Sequence, residues 1–313
     1  MNNWLWALGV TSMVLGSEPN SGVRPDTISL LHNGEKIAQV ERSSYTLPSF
    51  PLVNPIRMDE LLAKIDRKVL TPPQNAYIGD SGRIVPEKAG AKLDSRKFAD
   101  RFQHYYYGGG QVSFEIPLKP TYAKVDSELL SLIREKPIGQ YATYFNSNNR
   151  NRAKNIALSA KAIDNRVVFP GEKFSFNQTV GRRDSSKGYV RAPIIVRGEL
   201  SEGIGGGICQ VSSTLFNAAD RAGLRILERY SHSRHVPYVM PGRDATVSWG
   251  GPDFVFSNPY NQPVLIRAFA GAGSLYVSIY SSEQLDYAPR HVPRMSRRIP
   301  EEIAVDGIEN KPD

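Results

Sequence analysis

The chain contains a single cysteine, Cys209, in 313 residues. One thiol excludes an intramolecular disulfide framework and supplies too few thiolates for a structural zinc site, so cysteine usage does not settle the redox compartment. A hydrophobic run of membrane length is lacking at the N-terminus. There "MNNWLWALGVTSMVLGSEPNSG" is apolar only from Trp4 to Gly16, short of the about 20 residues of a spanning helix. No Lys or Arg precedes that run, the first basic residue being Arg24. Zinc-finger spacing, a helix-turn-helix signature and a basic, aromatic-interleaved motif are all missing, which argues against nucleic acid as a partner. There is no repeat at solenoid spacing.

What is present is a globular composition, 40% hydrophobic and 22% charged, in a chain long enough for two domains. Thirty-nine Lys and Arg against 31 Asp and Glu leave a formal charge of +8, spread along the chain. Such a charge attracts polyanions, and anionic wall polymers or an anionic membrane surface, met by peripheral or weak association, fit it. Residues 1–22 are expected to be a signal or anchor segment, the alternative being a buried N-terminal helix or strand.

The segment "DTISLLHNGEKIAQV" carries two apolar runs about an Asn33-Gly34 turn and predicts a hairpin. "MDELLAKIDRKVL", Met58 to Leu70, has helical spacing and stops at Pro72-Pro73. A further helix is expected from near Asp94, and this small unit is expected to end near residue 135. Within it, "HYYYGGG" offers Tyr105, Tyr106 and Tyr107 as sugar-stacking rings or, more simply, as anchors of a strand. Farther on, Ala153, Ile156, Ala157, Ala160 and Ile163 form a helical stripe beside a basic face of Arg152, Lys154 and Lys161. "LRILERY", "ATVSW", "DFVFSN", "PVLIRAFA" and "LYVSIYS" read as successive strands. From about Asp286 the chain loses all apolar period, and residues 283–313 are expected to form a mobile tail.

Cys209 follows three glycines in "GIGGGICQVSSTLFNAADRAG". On a helix, Ile208, Val211, Leu215, Ala219 and Ala222 share a buried side, and Cys209 sits off its centre, half-buried. A first helical turn presents free N–H groups and the positive dipole end, which lower a thiol's pKa. Gly205, Gly206 and Gly207 would let a substrate approach and would offer amides to an oxyanion. The competing reading is a small apolar cysteine packed at a helix start. A nucleophilic thiol needs a base, for which His232 and His235 are the candidates, and a carboxylate to orient it, for which Asp244 or Asp253 are nearest. The His-x-x-His pair supports metal weakly, and no metal or cofactor is expected. Ser212 and Ser213 lie inside the helix, where their hydroxyls are expected to bond backbone carbonyls.

The words "NRAKNI", "FPGEKFSFN", "VGRRDSSKGY", "GIGGGICQVSSTLFNA", "ERYSHS" and "VMPGRDATVSWGGPDF" resemble the VanW family over residues 140–282. "RIVPEKAG" and "FEIPLKP" resemble a peptidoglycan-binding domain over residues 23–135. The resemblance implies an extracytoplasmic, cell-envelope protein of α+β class. A small α/β wall-binding-like domain would precede a β-rich α+β catalytic domain with the cysteine at a helix N-terminus. It also implies a cysteine L,D-transpeptidase that cross-links peptidoglycan stem peptides through a thioester. In that reading Cys209 is the nucleophile, His232 the base and Asp244 its partner. Gly205, Gly206, Gly207 and Gln210 form the oxyanion and substrate loop. The alternatives are a non-catalytic peptidoglycan-binding or glycopeptide-resistance accessory protein and a thioester-forming hydrolase or carboxypeptidase.

Overall fold

The computed structural model describes residues 26–108, 111–196 and 199–296, with the side chains of 195–200 excepted. The expected signal or anchor segment, 1–22, lies outside the described residues. Helices and strands are mixed throughout, in agreement with the expected α+β class.

The chain folds as two units. One takes in the described residues up to Gln74 and Lys88–Ala123, and the other Asn75–Glu87 and the described residues from Lys124 onward. In the first unit Thr27–His32 pairs with Glu35–Glu41 across the Asn33-Gly34 turn, both turn residues having positive φ, as the hairpin signal requires. The helix Pro55–Val69 starts with Pro55 in its first turn and with the Asn54 side chain accepting from the Ile56 and Arg57 amides. A second helix, Ser95–Gln103, is capped by Asp94. Ile28, Leu30, Ile65, Phe98 and Phe102 form the centre of this unit's core. Tyr105 and Tyr106 join that core and lie in a helical turn, which removes them as sugar platforms and as strand anchors. Tyr107 alone stays half exposed.

The second unit is built on an antiparallel four-stranded sheet in the order Lys136–Tyr144, Ser274–Ser281, Val264–Gly271, Arg166–Val168. Successive residues of a strand face opposite sides, and Val264 and Ile266 enter one core while Leu265 enters another. Helices Arg150–Ile163 and Ile208–Arg221 cover the first face. Gly139 is required there, because a Cβ would stand 2.3 Å from the Ala218 carbonyl oxygen. On the second face Leu265 packs with Ala76, Ile78, Val125, Leu130 and Ile133. That core explains why residues 75–87 and 124–135, read from sequence as part of the first unit, cluster with the second.

Two other expectations are corrected. "ATVSW", residues 245–249, forms no strand, and Trp249 already lies in a turn. Its backbone is held instead by the cysteine helix, where the Ser212 hydroxyl donates to Ala245 O at 2.6 Å and Ser213 Oγ accepts from Ala245 N at 2.9 Å. The segment from Leu285 to Val292 is packed and not a free tail. Both of those residues are buried in the second unit's core, and Arg290 pairs with Asp220 at 2.9 Å. It is secured by Arg–Asp pairing and backbone carbonyls, including Val292 O to Arg221, and such contacts leave no apolar period in the sequence. Residues 297–313 of the expected tail lie outside the described residues.

Candidate functional site

The helix Ile208–Arg221 begins one residue after Gly207, whose φ of 101° is a left-handed value that side chains rarely adopt. No side chain caps this helix start. The glycine loop is held from beneath by Asn155, which sequence reading missed. Its amide donates to Val190 O and Gly206 O, and its Oδ1 accepts from Val190 N. The helix Arg150–Ile163 therefore buries Asn155 and Ser159, whereas Ala157 of the expected stripe is exposed. A polar residue on a buried face is not visible to hydrophobic periodicity. Gly206 is pinned from the other side, where a Cβ would meet Pro193 O at 2.5 Å and Ala192 O at 2.6 Å.

Cys209 is the second residue of the helix and is half-buried. Its thiol donates to Val247 O at 3.6 Å and lies 3.8 Å from Thr246 Oγ1. The loop after strand Arg225–Glu228 carries His232 to the thiol. Asp244 Oδ2 accepts from both the backbone N–H of His232 and its Nδ1, each at 2.6 Å. With Nδ1 engaged, Nε2 is the ring nitrogen left for proton exchange. Arg229 donates to Asp244 O at 2.7 Å and to Gly242 O at 3.2 Å, closing the loop on itself.

The electrostatics are those of a coupled pair. Burial pushes the Cys209 thiol up, but the adjoining His232 imidazole outweighs it and the net shift is downward. Burial pulls His232 down, and the Cys209 and Asp244 charges reverse this to a net rise. Asp244 is raised by burial and lowered more strongly by the two His232 donors. The arrangement thus favours thiolate and imidazolium together.

Of the expected site residues, Cys209, His232 and Asp244 are brought together. His235 is exposed and outside this set. Asp253 is engaged elsewhere, accepting from the Ser175 hydroxyl and from the Asn177 and Phe254 amides. Gln210 is corrected as a substrate-loop residue. It is fully buried, with its amide donating to Thr143 Oγ1 and Tyr144 O and its carbonyl accepting from Arg152. Arg152 is accordingly part of the site's support and not of a merely solvated face. The Gly205 amide is also committed, to Val190 O at 3.0 Å, which leaves those of Gly206, Gly207 and Cys209 without an acceptor among the described residues. Ser212 and Ser213 donate to backbone carbonyls as expected.

Two further residues were not legible in the sequence. Tyr238 is buried near the site, and burial followed by the Cys209 charge raises its hydroxyl well above the ordinary value. Arg183 packs its side chain against Gly205, with its guanidinium 5.6 Å from the Phe176 ring centroid. No group of three or more metal-ligating side chains occurs among the described residues. No described helix is long and apolar enough to cross a membrane.

Fold and site together define an α+β domain whose thiol, imidazole and carboxylate are assembled by a helix start and a returning loop. The comparisons with known proteins agree with that class and specify it. Residues 151–280 match the family described as VanW like protein, and the chain belongs to that family. It is 53% identical over 296 residues to "Uncharacterized protein YoaR" of Bacillus subtilis, spanning 94% of this chain and 97% of that protein. It is 34% identical over 116 residues to "Vancomycin B-type resistance protein VanW" of Enterococcus faecalis, spanning 34% of this chain and 41% of that one. No solved structure matches the chain.

Proposed function

We propose that this protein is a cell-envelope acyltransferase of the cysteine L,D-transpeptidase type, acting on peptidoglycan stem peptides. The observation that carries the reading is the doubly bound Asp244–His232 pair beside a thiol at an uncapped helix start. A half-buried structural cysteine needs neither a base nor an oriented base. The name of the enterococcal relative, a vancomycin B-type resistance protein, is consistent with wall chemistry.

In this mechanism the Cys209 thiolate attacks the carbonyl carbon of an L,D amide bond, and its oxygen gains the charge. The amides of Gly206, Gly207 and Cys209 stabilise that oxyanion. The C–N bond breaks as His232 passes its proton to the leaving amine, which departs as the terminal D-amino acid and leaves a thioester. An acceptor amine then attacks the thioester carbonyl, His232 takes the amine proton, the C–S bond breaks and the thiolate returns. Asp244 holds the imidazole in one tautomer throughout. With water as acceptor the same steps give hydrolysis. The first unit would serve as the wall-binding part, its sugar-facing surface limited to exposed rings such as Tyr107.

The test is the mass of the intact protein after incubation with a stem tetrapeptide. An adduct of the acyl tripeptide that is absent in Cys209→Ala supports the proposal. Wall binding with no adduct on any stem peptide tested favours the non-catalytic accessory protein.

A further inference from the structure

Arg183 presents a chemical problem that the transfer mechanism does not use. Both of its terminal nitrogens are closed off from solvent and have no hydrogen-bond partner. The carboxylates nearest in sequence or in space are already engaged. Asp184 accepts from Ser186 and from the Lys187 amide, and Asp253 accepts from Ser175, Asn177 and Phe254. The face of Phe176 gives the guanidinium a flat support without satisfying a single N–H. A desolvated, unpaired cation is costly, and a fold retains one where an anion compensates it. Its position fits an anion arriving with a substrate, since a Cβ on Gly205 would lie 3.3 Å from the Arg183 Cβ. The stem of Arg183 therefore lies against the glycine loop that leads into the Cys209 helix, and its guanidinium lies over the Phe176 ring. The charges felt there are those of Cys209 first, then Tyr189 and Asp253, and burial outweighs them.

We infer that Arg183 is the specificity residue for a substrate carboxylate, which it takes up through its two free terminal nitrogens. A planar fork with both ends vacant matches the two oxygens of a carboxylate, whereas one oxyanion would need a single donor. This deepens the proposed reading, because the leaving D-amino acid carries a free α-carboxylate one residue from the scissile bond. Donors ending in an amide would be poor substrates for the same reason.

The test is independent of turnover, so its failure and that of the transferase reading are separable. Cys209 of the full chain is alkylated with N-(iodoacetyl)-D-alanine and with N-(iodoacetyl)-D-alaninamide. In each, the thiolate forms an S–C bond as iodide leaves, and the probes differ only in the carboxylate. After correction for the same ratio on free cysteine, the wild type should prefer the carboxylate probe by about tenfold, the scale of one charge-assisted hydrogen-bonded pair. Arg183→Gln should remove the preference, and Arg183→Lys, which keeps the charge but not the fork, should retain part of it. A wild-type ratio equal to that of free cysteine overturns the inference, as does an Arg183→Gln ratio equal to wild type. An equal slowing of both probes in Arg183→Gln also overturns it, since Arg183 would then act on the thiolate. Should the glutamine variant not fold, protection of wild-type Cys209 from iodoacetamide decides. D-alanine should slow labelling where D-alaninamide does not, and equal or no protection refutes the subsite.

Discussion

Replacing Asp244 by asparagine isolates the charge of the site from its geometry. The backbone N–H of His232 can only donate, so it requires an oxygen at the Oδ2 position, and the asparagine carbonyl meets that requirement. The same oxygen still accepts from Nδ1, so the ring keeps its tautomer and orientation. What is lost is charge assistance. A hydrogen bond to a charged group contributes about 1.5–3 kcal/mol against about 1 for a neutral one, so the imidazolium loses about 0.5–2 kcal/mol, the middle of which is about a tenfold change in its protonation equilibrium. His232, raised in the wild type, should fall by that amount, and the Cys209 thiol it lowers should rise. At neutral pH the thiolate fraction then drops about tenfold, and alkylation by iodoacetamide slows in proportion. Stability follows with a definite sign. The Asp244 contribution is complete above its ordinary value of 3.8 and is lost as pH falls through its lowered folded value. The part owed to the imidazolium is complete below the ordinary 6.5 of histidine and fades as pH rises through the raised folded value. Wild type and Asp244→Asn should therefore differ most between pH 4 and pH 6.5 and converge on either side. Alkylation rates from pH 5 to 10, with urea unfolding at several pH values, measure both effects. Superimposable alkylation profiles for the two proteins would refute the coupling of Asp244 to the thiol.

Three other outcomes are expected. His232→Ala should move the Cys209 alkylation profile upward by more than Asp244→Asn does and lower any acyl transfer by about two to four orders of magnitude, while His235→Ala leaves the profile in place. Equal effects of the two substitutions would disprove the assignment of the base. Asn155→Ala leaves Val190 N and Gly206 O unpaired, Val190 O keeping the Gly205 amide, and should cost about 2 kcal/mol in urea unfolding, with slower thiol alkylation as the glycine loop loosens; unchanged stability contradicts its role as the loop's support. Asp220→Ala, which removes partners of Arg243 and Arg290, should expose the segment around Arg290 to proteolysis before global unfolding, and wild-type protection of that segment would count against the packed C-terminal strap.

Local order was written in the sequence wherever one element decides it. The Asn33-Gly34 hairpin, the helix after Asn54 and the stripe of Ile208, Val211, Leu215 and Ala219 follow from turn chemistry, capping and period, each set by a few neighbouring residues. Cys209 was legible as half-buried at a helix start for the same reason. The chemistry around it was legible as residue types and undecided as a set. His232 and His235 are three residues apart in one polar loop, and Asp244 and Asp253 both follow within the next stretch of chain. Only the tertiary structure pairs His232 with Asp244, because Arg229 folds the loop back onto itself while Ser175 and Asn177 take Asp253. Gln210, Asn155 and Arg183 were outside the reach of periodicity altogether. A period reports which side of a helix or strand is apolar, and these three are polar groups whose partners come from other elements. The packed segment from Leu285 to Val292 and the membership of residues 75–87 in the second unit were decided in the same way, by what lies across from them in space, a relation that neither composition nor spacing encodes.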